Sequence, residues 1–198
     1  SCAITAIIVD DMLIVFNVGD SRAIVLRRDG KTVQEISTDH KPDRLSEFSR
    51  IVENGGELYK VSSDLEQFKN QFHFAKNYKD FKAIVETEKR NPRLIFGPWR
   101  VKPGSLSVSR TFGDIEAKLP EFGGIANIIT AEPDVYDCDL SDAEFLVIGC
   151  DGIFDQMSNA QVVEAVQETI AFYRVKFEAN LISCEEIFSE CVNNVIRR

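Results

Sequence analysis

Histidine is scarce in this sequence, and paired cysteines are missing. Only His40 and His73 occur, far apart, and the five cysteines include no CxxC pair. A His-rich metal site is therefore excluded within this chain, and a zinc knot or disulfide framework is poorly supported. Free buried thiols in a reducing compartment are the simpler interpretation. They predict a cytoplasmic protein, with a nuclear location left open.

Long apolar runs and an excess of basic charge are missing as well. No apolar run reaches the length of a membrane span, and the first residues lack the basic-then-apolar pattern of a secretion signal. The formal net charge of −9 argues against a nucleic-acid partner. Two interpretations of the acidic character stay open. It can serve solubility, or some carboxylates can converge on hard cations such as Mg²⁺ and Mn²⁺.

The composition that remains is that of a folded protein. The 198 residues, 44% apolar and 28% charged, suit one domain or a large piece of one. β-Branched and apolar runs joined by tight turns predict an antiparallel meander over 2–9, 12–18, 22–28 and 31–36. Further strands are predicted over 105–109, 126–131 and 144–149. Apolar residues at helical spacing predict helices over 43–54, 159–172 and 184–196, with Ser158 as an N-cap.

Residues 62–96 have a different composition, rich in Lys, Asn, Glu and Phe. Phe68, Phe72 and Ala75 fit one helical face, but the pattern drifts afterwards, which predicts a partly helical insertion. A basic and aromatic mixture can indicate RNA contact. Here acidic residues alternate with the basic ones, which favours a solvated or partner-facing segment.

Three aspartates follow predicted elements in a way that suits metal binding. Asp20 and Asp151 each come just after an apolar strand, where a rigid backbone would hold a carboxylate toward open space. Asp155 returns to the same side as Asp151 if the chain turns helically after Gly152. The alternative is that each aspartate caps a turn or helix, since Asp-Gly is a common turn dipeptide.

Five segments carry a resemblance to a known family. They are Asn17-Val18-Gly19-Asp20-Ser21-Arg22-Ala23; Asp39-His40-Lys41-Pro42 with Glu47 and Arg50; Leu106 to Asp114; Ile128 to Val135; and Phe145 to Asp155 with Ser158. In this order, over about residues 1–170, they resemble the metal-dependent protein phosphatases of the 2C family. The resemblance implies an α+β fold in which two antiparallel β-sheets pack as a sandwich flanked by helices.

The resemblance also implies an activity. In this family, phosphoserine and phosphothreonine in phosphoprotein substrates are hydrolysed by a metal-activated water at a dinuclear Mg²⁺ or Mn²⁺ centre. Two ions are expected in the complete domain, a third is left open, and no side-chain nucleophile is expected. By motif match, Asp151 resembles a ligand of the metal pair. Asp20 and Asp155 resemble ligands of the third, weaker ion.

Supporting roles near the site follow from the same match. The residues concerned are Arg22, His40, Arg110, Gly113, Asp114 and Gly152. Arg22 and Arg110 are expected to brace loops through carboxylate pairs, and Asp114 to cap or bridge. His40 is expected to be a structural hydrogen-bonding residue in preference to a general acid. Gly113 and Gly152 are expected to allow tight backbone turns.

The sequence also departs from the family pattern. An early Asp-Gly-His-Gly segment and a late Asp-Asn block have no counterpart, so we expect residues 1–198 to form a single partial catalytic domain, incomplete at both ends and inactive by itself. Residues 57–104 correspond to an extended flap, and its insertion at about 62–96 is a candidate surface for a protein partner. Two alternatives stay open: a non-catalytic phosphatase-like binding or regulatory module, and a structural subunit of a larger assembly.

Overall fold

The computed structural model describes residues 1–64, 66 and 69–198. These residues divide into two compact units. Unit 1 comprises Ser1–Ala3, Asn17–Asp20 and Asp39–Asp134; unit 2 comprises Ile4–Phe16, Ser21–Thr38 and Val135–Arg198. Each unit is therefore assembled from three separate stretches of the chain. The expectation of one partial catalytic domain over 1–198 stays a prediction.

The regular elements of the described residues are as follows. The strands are β1 (Ala3–Val9), β2 (Met12–Val18), β3 (Arg22–Arg27), β4 (Val33–Glu35), β5 (Glu57–Asp64), β6 (Lys69–Ala75), β7 (Leu94–Phe96), β8 (Arg100–Lys102), β9 (Asp134–Asp139) and β10 (Ala143–Gly149). The helices are α1 (Leu45–Glu53), α2 (Tyr78–Arg90), α3 (Ile115–Lys118), α4 (Asp151–Phe154), α5 (Asn159–Glu178) and α6 (Cys184–Arg197), with a 3-10 turn at Pro120–Phe122.

Two three-stranded sheets face each other in unit 2. Their strand orders are β1-β2-β9 and β10-β3-β4, and the second sheet is antiparallel throughout. Leu13 and Val15 from the first sheet share an apolar cluster with Ala23 and Val25 from the second. Burial of apolar side chains between sheets is what holds a sandwich together. The predicted two-sheet sandwich is confirmed.

Strand β3 is the centre of unit 2, because both of its faces are buried. Ala23 and Val25 face the first sheet, while Ile24 and Leu26 pack on the other side against α5 and α6. Helix α5 begins at Ser158, whose hydroxyl accepts from Gln161 N–H in a capping box. The flanking helices and the N-cap are confirmed.

Unit 1 contains a third sheet that the sequence analysis did not predict. Strand β5 pairs antiparallel with β6, β7 and β8. One face of this sheet packs with α1 and α2 around a core that includes Phe48, Leu58, Ala75, Ile84 and Trp99. The segment predicted as an insertion therefore supplies buried residues of unit 1.

Several local predictions are wrong. Phe72 and Ala75 lie in strand β6, so they do not form the predicted helical face; Phe68 lies outside the described residues. Residues 105–109 and 126–131 form isolated bridges in place of strands. The predicted meander is also interrupted, because β2 and β3 belong to different sheets and do not pair with each other. The partly helical character of 62–96 is confirmed by α2.

All five cysteines are free thiols, but only Cys138 and Cys191 are fully buried, while Cys150 and Cys184 are exposed. The prediction of buried thiols therefore holds for some of them only. No helix in the described part of the chain is long and apolar enough to cross a membrane.

Candidate functional site

Asp20 follows the end of β2 and is almost fully buried, with 5% of its surface exposed. Its two carboxylate oxygens have different partners. Lys41 Nζ donates to Oδ2 at 2.6 Å, and Cys2 Sγ donates to Oδ1 at 3.3 Å. Burial raises the pKa of the Cys2 thiol, which keeps it protonated as the donor. The buried charge of Asp20 is thus compensated inside unit 1.

The backbone before Asp20 is fixed by a glycine and a histidine. Gly19 has φ +112°, in the region that favours glycine, and a Cβ on it would lie 2.2 Å from Cys2 Sγ. Gly19 N–H donates to His40 Nδ1 at 3.0 Å, and His40 N–H donates back to Gly19 O at 2.9 Å. These two bonds clamp the loop that presents Asp20.

His40 is buried, and its tautomer follows from its contacts. Because Nδ1 accepts from Gly19, the ring proton sits on Nε2, which donates to Asp134 Oδ2 at 3.1 Å. Burial lowers the pKa of His40, although the hydrogen bond to Asp134 opposes that effect. The neutral imidazole therefore links the Gly19 loop to Asp134.

Asp134 connects His40 to a group of charged residues around the buried Glu47. Arg110 Nη1 donates to Asp134 Oδ1 at 2.7 Å, and Arg110 Nη2 donates to Glu47 Oε1 at 2.8 Å. Arg50 Nη2 also donates to Glu47, at 2.6 Å. Burial alone would raise the pKa of Glu47, but the bonds from Arg110, Ser109 and Arg50 outweigh it and lower the pKa to about 2.

This group, which we call the Glu47 network, comprises Glu47, Arg50, Ser109, Arg110 and Asp134. Arg110 pairs with carboxylates, as expected for a residue that braces loops. Glu47 and Arg50 belong to one of the family-like segments, but their roles were not predicted from the sequence, and Asp134 was not among the predicted site residues. One signal was available: Glu47 lies one turn before the buried Ile51 on α1, so a charge sits on an apolar helix face.

In unit 2, Asp151 and Asp155 lie on one exposed helical turn. Asp151 begins α4 directly after β10, and Asp155 N–H donates to Asp151 O at 2.8 Å. Residues four apart on a helix share a face, so Asp151 and Asp155 lie on the same side of this turn. Asp151 Oδ1 accepts from Gly152 N–H at 2.8 Å.

Arg22 steadies the same region of unit 2. Its Nη1 donates to the Asn159 side chain at 2.7 Å, and its guanidinium lies 4.8 Å from the centre of the Phe154 ring at the end of α4. Arg22 thus connects β3 to the ends of α4 and α5. These two contacts are with an amide and an aromatic ring, and the pairing of Arg22 with a carboxylate stays a prediction.

Gly113, Gly152 and Asp114 are the remaining residues for which a supporting role was predicted. Gly113 has φ +76°, as a tight turn requires. Gly152 lies within α4, where a Cβ would meet only Cys150 Sγ at an ordinary 3.5 Å, and its expected role in a tight turn stays a prediction. Asp114 occupies the N-cap position of α3, but its side chain makes no capping hydrogen bond.

The three predicted metal ligands are divided between the units: Asp20 in unit 1, Asp151 and Asp155 in unit 2. Over 1–64, 66 and 69–198, no group of three or more His, Cys, Asp or Glu side chains is arranged to hold a metal ion. The convergence of Asp20, Asp151 and Asp155 stays a prediction.

Comparison with known proteins gives consistent results. The family model for protein phosphatase 2C matches residues 1–197. "Probable protein phosphatase 2C 60" of Arabidopsis thaliana is 31% identical over 97% of this chain, and "Probable protein phosphatase 2C 11" of the same plant is 34% identical over 85%. The chain covers only 42% and 33% of these relatives.

Solved structures show the same fold. A phosphatase from Toxoplasma gondii matches 94% of this chain with a TM-score of 0.56 and 24% identity. A sex-determining protein of C. elegans matches 93% with a TM-score of 0.58 and 19% identity. The chain covers 44% and 33% of these two structures.

Proposed function

Because the chain belongs to the protein phosphatase 2C family, we propose that the whole protein hydrolyses phosphoserine and phosphothreonine in other proteins, with Mg²⁺ or Mn²⁺ as its cofactor. The observation that carries this proposal is the turn after β10, where Asp151 and Asp155 are both exposed and lie one helical turn apart. The family match accounts for the reaction class, and this turn accounts for where the cofactor would be held.

The donor chemistry of this chain fits a hard cation. Asp151 and Asp155 offer carboxylate oxygens, the ligands that Mg²⁺ and Mn²⁺ prefer. Asp20 already accepts from Lys41 and Cys2. A bound ion would compete with these two donors for the Asp20 carboxylate, in keeping with the weaker role that the family match implies.

In the proposed reaction, Asp151 would be a ligand of the metal pair, and Asp155 and Asp20 would hold a third, weaker ion. The bound ions supply positive charge against the phosphate and make a water a better nucleophile. The other residues named here would contribute by holding these aspartates in position. Arg22 fixes the end of α4, and the Gly19–His40 clamp fixes the loop before Asp20, so the carboxylates are held before substrate arrives.

The proposal is tested on the whole protein with Asp151→Asn, which keeps the shape of the side chain and removes its charge. Asp137→Asn is the matched control, since Asp137 is exposed on strand β9. We expect Asp151→Asn to lower Mn²⁺-dependent release of phosphate from a phosphopeptide by at least the roughly 10- to 100-fold loss that is typical of residues supporting a metal site, with unchanged thermal unfolding. We expect Asp137→Asn to keep full activity.

Two outcomes would contradict the proposal. Turnover of Asp151→Asn close to that of the parent would remove Asp151 from the metal site. A whole protein that folds but releases no phosphate with Mg²⁺ or Mn²⁺ would favour the non-catalytic phosphatase-like module.

A further inference from the structure

The sheet in unit 1 has two chemically different faces. Along β5, Leu58, Lys60 and Ser62 point to the core and are buried. Residues directly paired across antiparallel strands share a face. Tyr59 pairs with Phe74 on β6 and with Arg100 on β8, so these three side chains lie on the other face, away from α1 and α2.

That outer face carries unusually exposed aromatic side chains. Phe72 is 61% exposed and Phe74 is 40% exposed. Their rings lie 5.9 Å and 5.7 Å from the ring of Tyr59, which they cover. Ile95 on β7 pairs with Ser63 and is 55% exposed on the same face. Several exposed apolar side chains on one face of a sheet are typical of a binding site.

Basic groups border these rings. Lys102 Nζ lies 5.0 Å from the centre of the Phe74 ring, and Arg100 lies across from Tyr59 on β8. Lys76, just after β6, pairs with Glu57 at 3.1 Å, so it adds no net charge there. The face is therefore locally basic on a chain of net charge −9. We call Tyr59, Phe72, Phe74, Ile95, Arg100 and Lys102 the aromatic–basic face.

Internal packing does not account for this composition. Phe72 and Phe74 shield Tyr59, but both rings keep large surfaces open to solvent. The buried side of the same strands already supplies a complete core, in which Lys60 is neutralised by Glu88 at 2.6 Å. The outer face thus combines apolar anchoring area with positive charge, and both suit a ligand that is apolar and acidic.

We propose that the aromatic–basic face binds an acidic peptide segment that carries an aliphatic or aromatic anchor, within the phosphoproteins on which the protein acts. Arg100 and Lys102 attract the acidic side chains, while Phe72 and Phe74 bury the anchor. This proposal rests on the proposed phosphatase function for the identity of the partner. The binding step itself needs no catalysis and can be measured separately.

The test measures binding of two labelled short peptides to the whole protein by fluorescence anisotropy. One peptide has a Leu-Phe anchor flanked by Asp and Glu, and the other has the same anchor flanked by Lys. We expect the acidic peptide to bind more tightly, with an affinity that falls as salt rises. Phe72→Ser is expected to weaken it at least about tenfold, as for an anchoring aromatic residue.

Two controls separate this face from general surface effects. Phe172→Ser removes an aromatic residue that is 71% exposed on α5, and Lys79→Gln removes an exposed positive charge on α2. Neither should change peptide binding. Lys102→Gln should weaken the acidic peptide and reduce its dependence on salt. Hydrolysis of a small aryl phosphate should be unchanged in Phe72→Ser and Lys102→Gln.

The outcomes that overturn the proposal are distinct from loss of the phosphatase assignment. Equal binding of both peptides, or no effect of Phe72→Ser, would overturn it even in an active enzyme. Binding of single-stranded RNA without binding of either peptide would assign the face to nucleic acid. A dimer that Phe72→Ser abolishes, without peptide binding, would assign it to a second copy. Peptide binding by a whole protein that lacks phosphatase activity would support the binding role of the aromatic–basic face and contradict the proposed phosphatase function.

Discussion

Gly19 and His40 hold each other by two backbone-anchored hydrogen bonds, Gly19 N–H to Nδ1 at 3.0 Å and His40 N–H to Gly19 O at 2.9 Å. The imidazole is buried and neutral, and its other nitrogen donates to Asp134. The position of Asp20 therefore depends on a histidine twenty residues later, which carries no proton to or from a substrate in the proposed reaction.

Replacing His40 should loosen this loop. His40→Ala leaves Gly19 N–H buried without its acceptor and creates a cavity, so we expect a loss of about 2–4 kcal/mol in the free energy of unfolding. His40→Asn keeps an acceptor near the position of Nδ1 and should recover part of it. Urea unfolding measures both variants. An unchanged stability of His40→Ala would show that the clamp contributes nothing.

Glu47 should make the protein sensitive to acid. Its pKa is lowered to about 2 from an ordinary value of 4.5, so its contribution to stability is complete above pH 4.5. That contribution is lost as the pH falls from about 4.5 toward about 2, because the unfolded state takes up the proton first.

Glu47→Gln should cost about 3 kcal/mol at neutral pH, since Arg110 and Arg50 lose a buried countercharge. It should also flatten the stability profile between pH 4.5 and 2. Glu53→Gln, at the exposed end of the same helix, is the control. Thermal unfolding over this pH range measures both, and a steep acid loss that persists in Glu47→Gln would contradict the assignment.

Gly19 and Cys2 should show a non-additive double-mutant cycle. Gly19→Ala combines a strained φ of +112° with a Cβ only 2.2 Å from Cys2 Sγ, and we expect a loss of about 3 kcal/mol. In a Cys2→Gly background the contacts with Sγ and Cβ disappear, and what remains is the φ strain and a 3.2 Å contact with the Cα of residue 2. The same substitution should therefore cost about 1–2 kcal/mol there. Equal losses in both backgrounds would rule out the clash as a cause.

Lys41 should compete with a divalent ion at Asp20. Lys41→Met removes the donor at 2.6 Å from a carboxylate that is 5% exposed, and we expect a loss of about 1.5–3 kcal/mol without added metal. If Asp20 is a metal ligand as proposed, Mn²⁺ should raise the melting temperature of Lys41→Met more than that of the parent. An equal rise in both proteins would separate Asp20 from the metal site.

Helices and strands with a clear periodicity of apolar residues could be predicted from the local sequence. Helices α5 and α6 followed from 3.6-residue periodicity, and Asp20 and Asp151 follow β2 and β10 as predicted. Strand β9 was missed because its sequence, Asp134–Asp139, contains three aspartates, which are rare in strands. The third sheet was missed because Phe72 was assigned to a helical period, although its neighbours alternate with period two.

The hydrogen bonds within the Glu47 network, and its bond to His40, could not be predicted from the local sequence, because they join segments that are far apart along the chain. His40 and Asp134 are 94 residues apart, and Glu47 and Arg110 are 63 apart. Nothing in the local sequence around Asp134 indicates that its carboxylate is divided between an imidazole and a guanidinium. Such pairings are set by the tertiary fold and not by propensity.

The Glu47 network also constrains how this sequence can change over generations. Arg110 pairs with both Glu47 and Asp134 inside unit 1, so a substitution at one of the three residues removes a countercharge from another. Effects of residues in one network do not add, and a simultaneous apolar replacement can be tolerated where single ones are not. Lineages that share this arrangement should therefore keep the three residues together or lose them together, even though they are far apart along the chain.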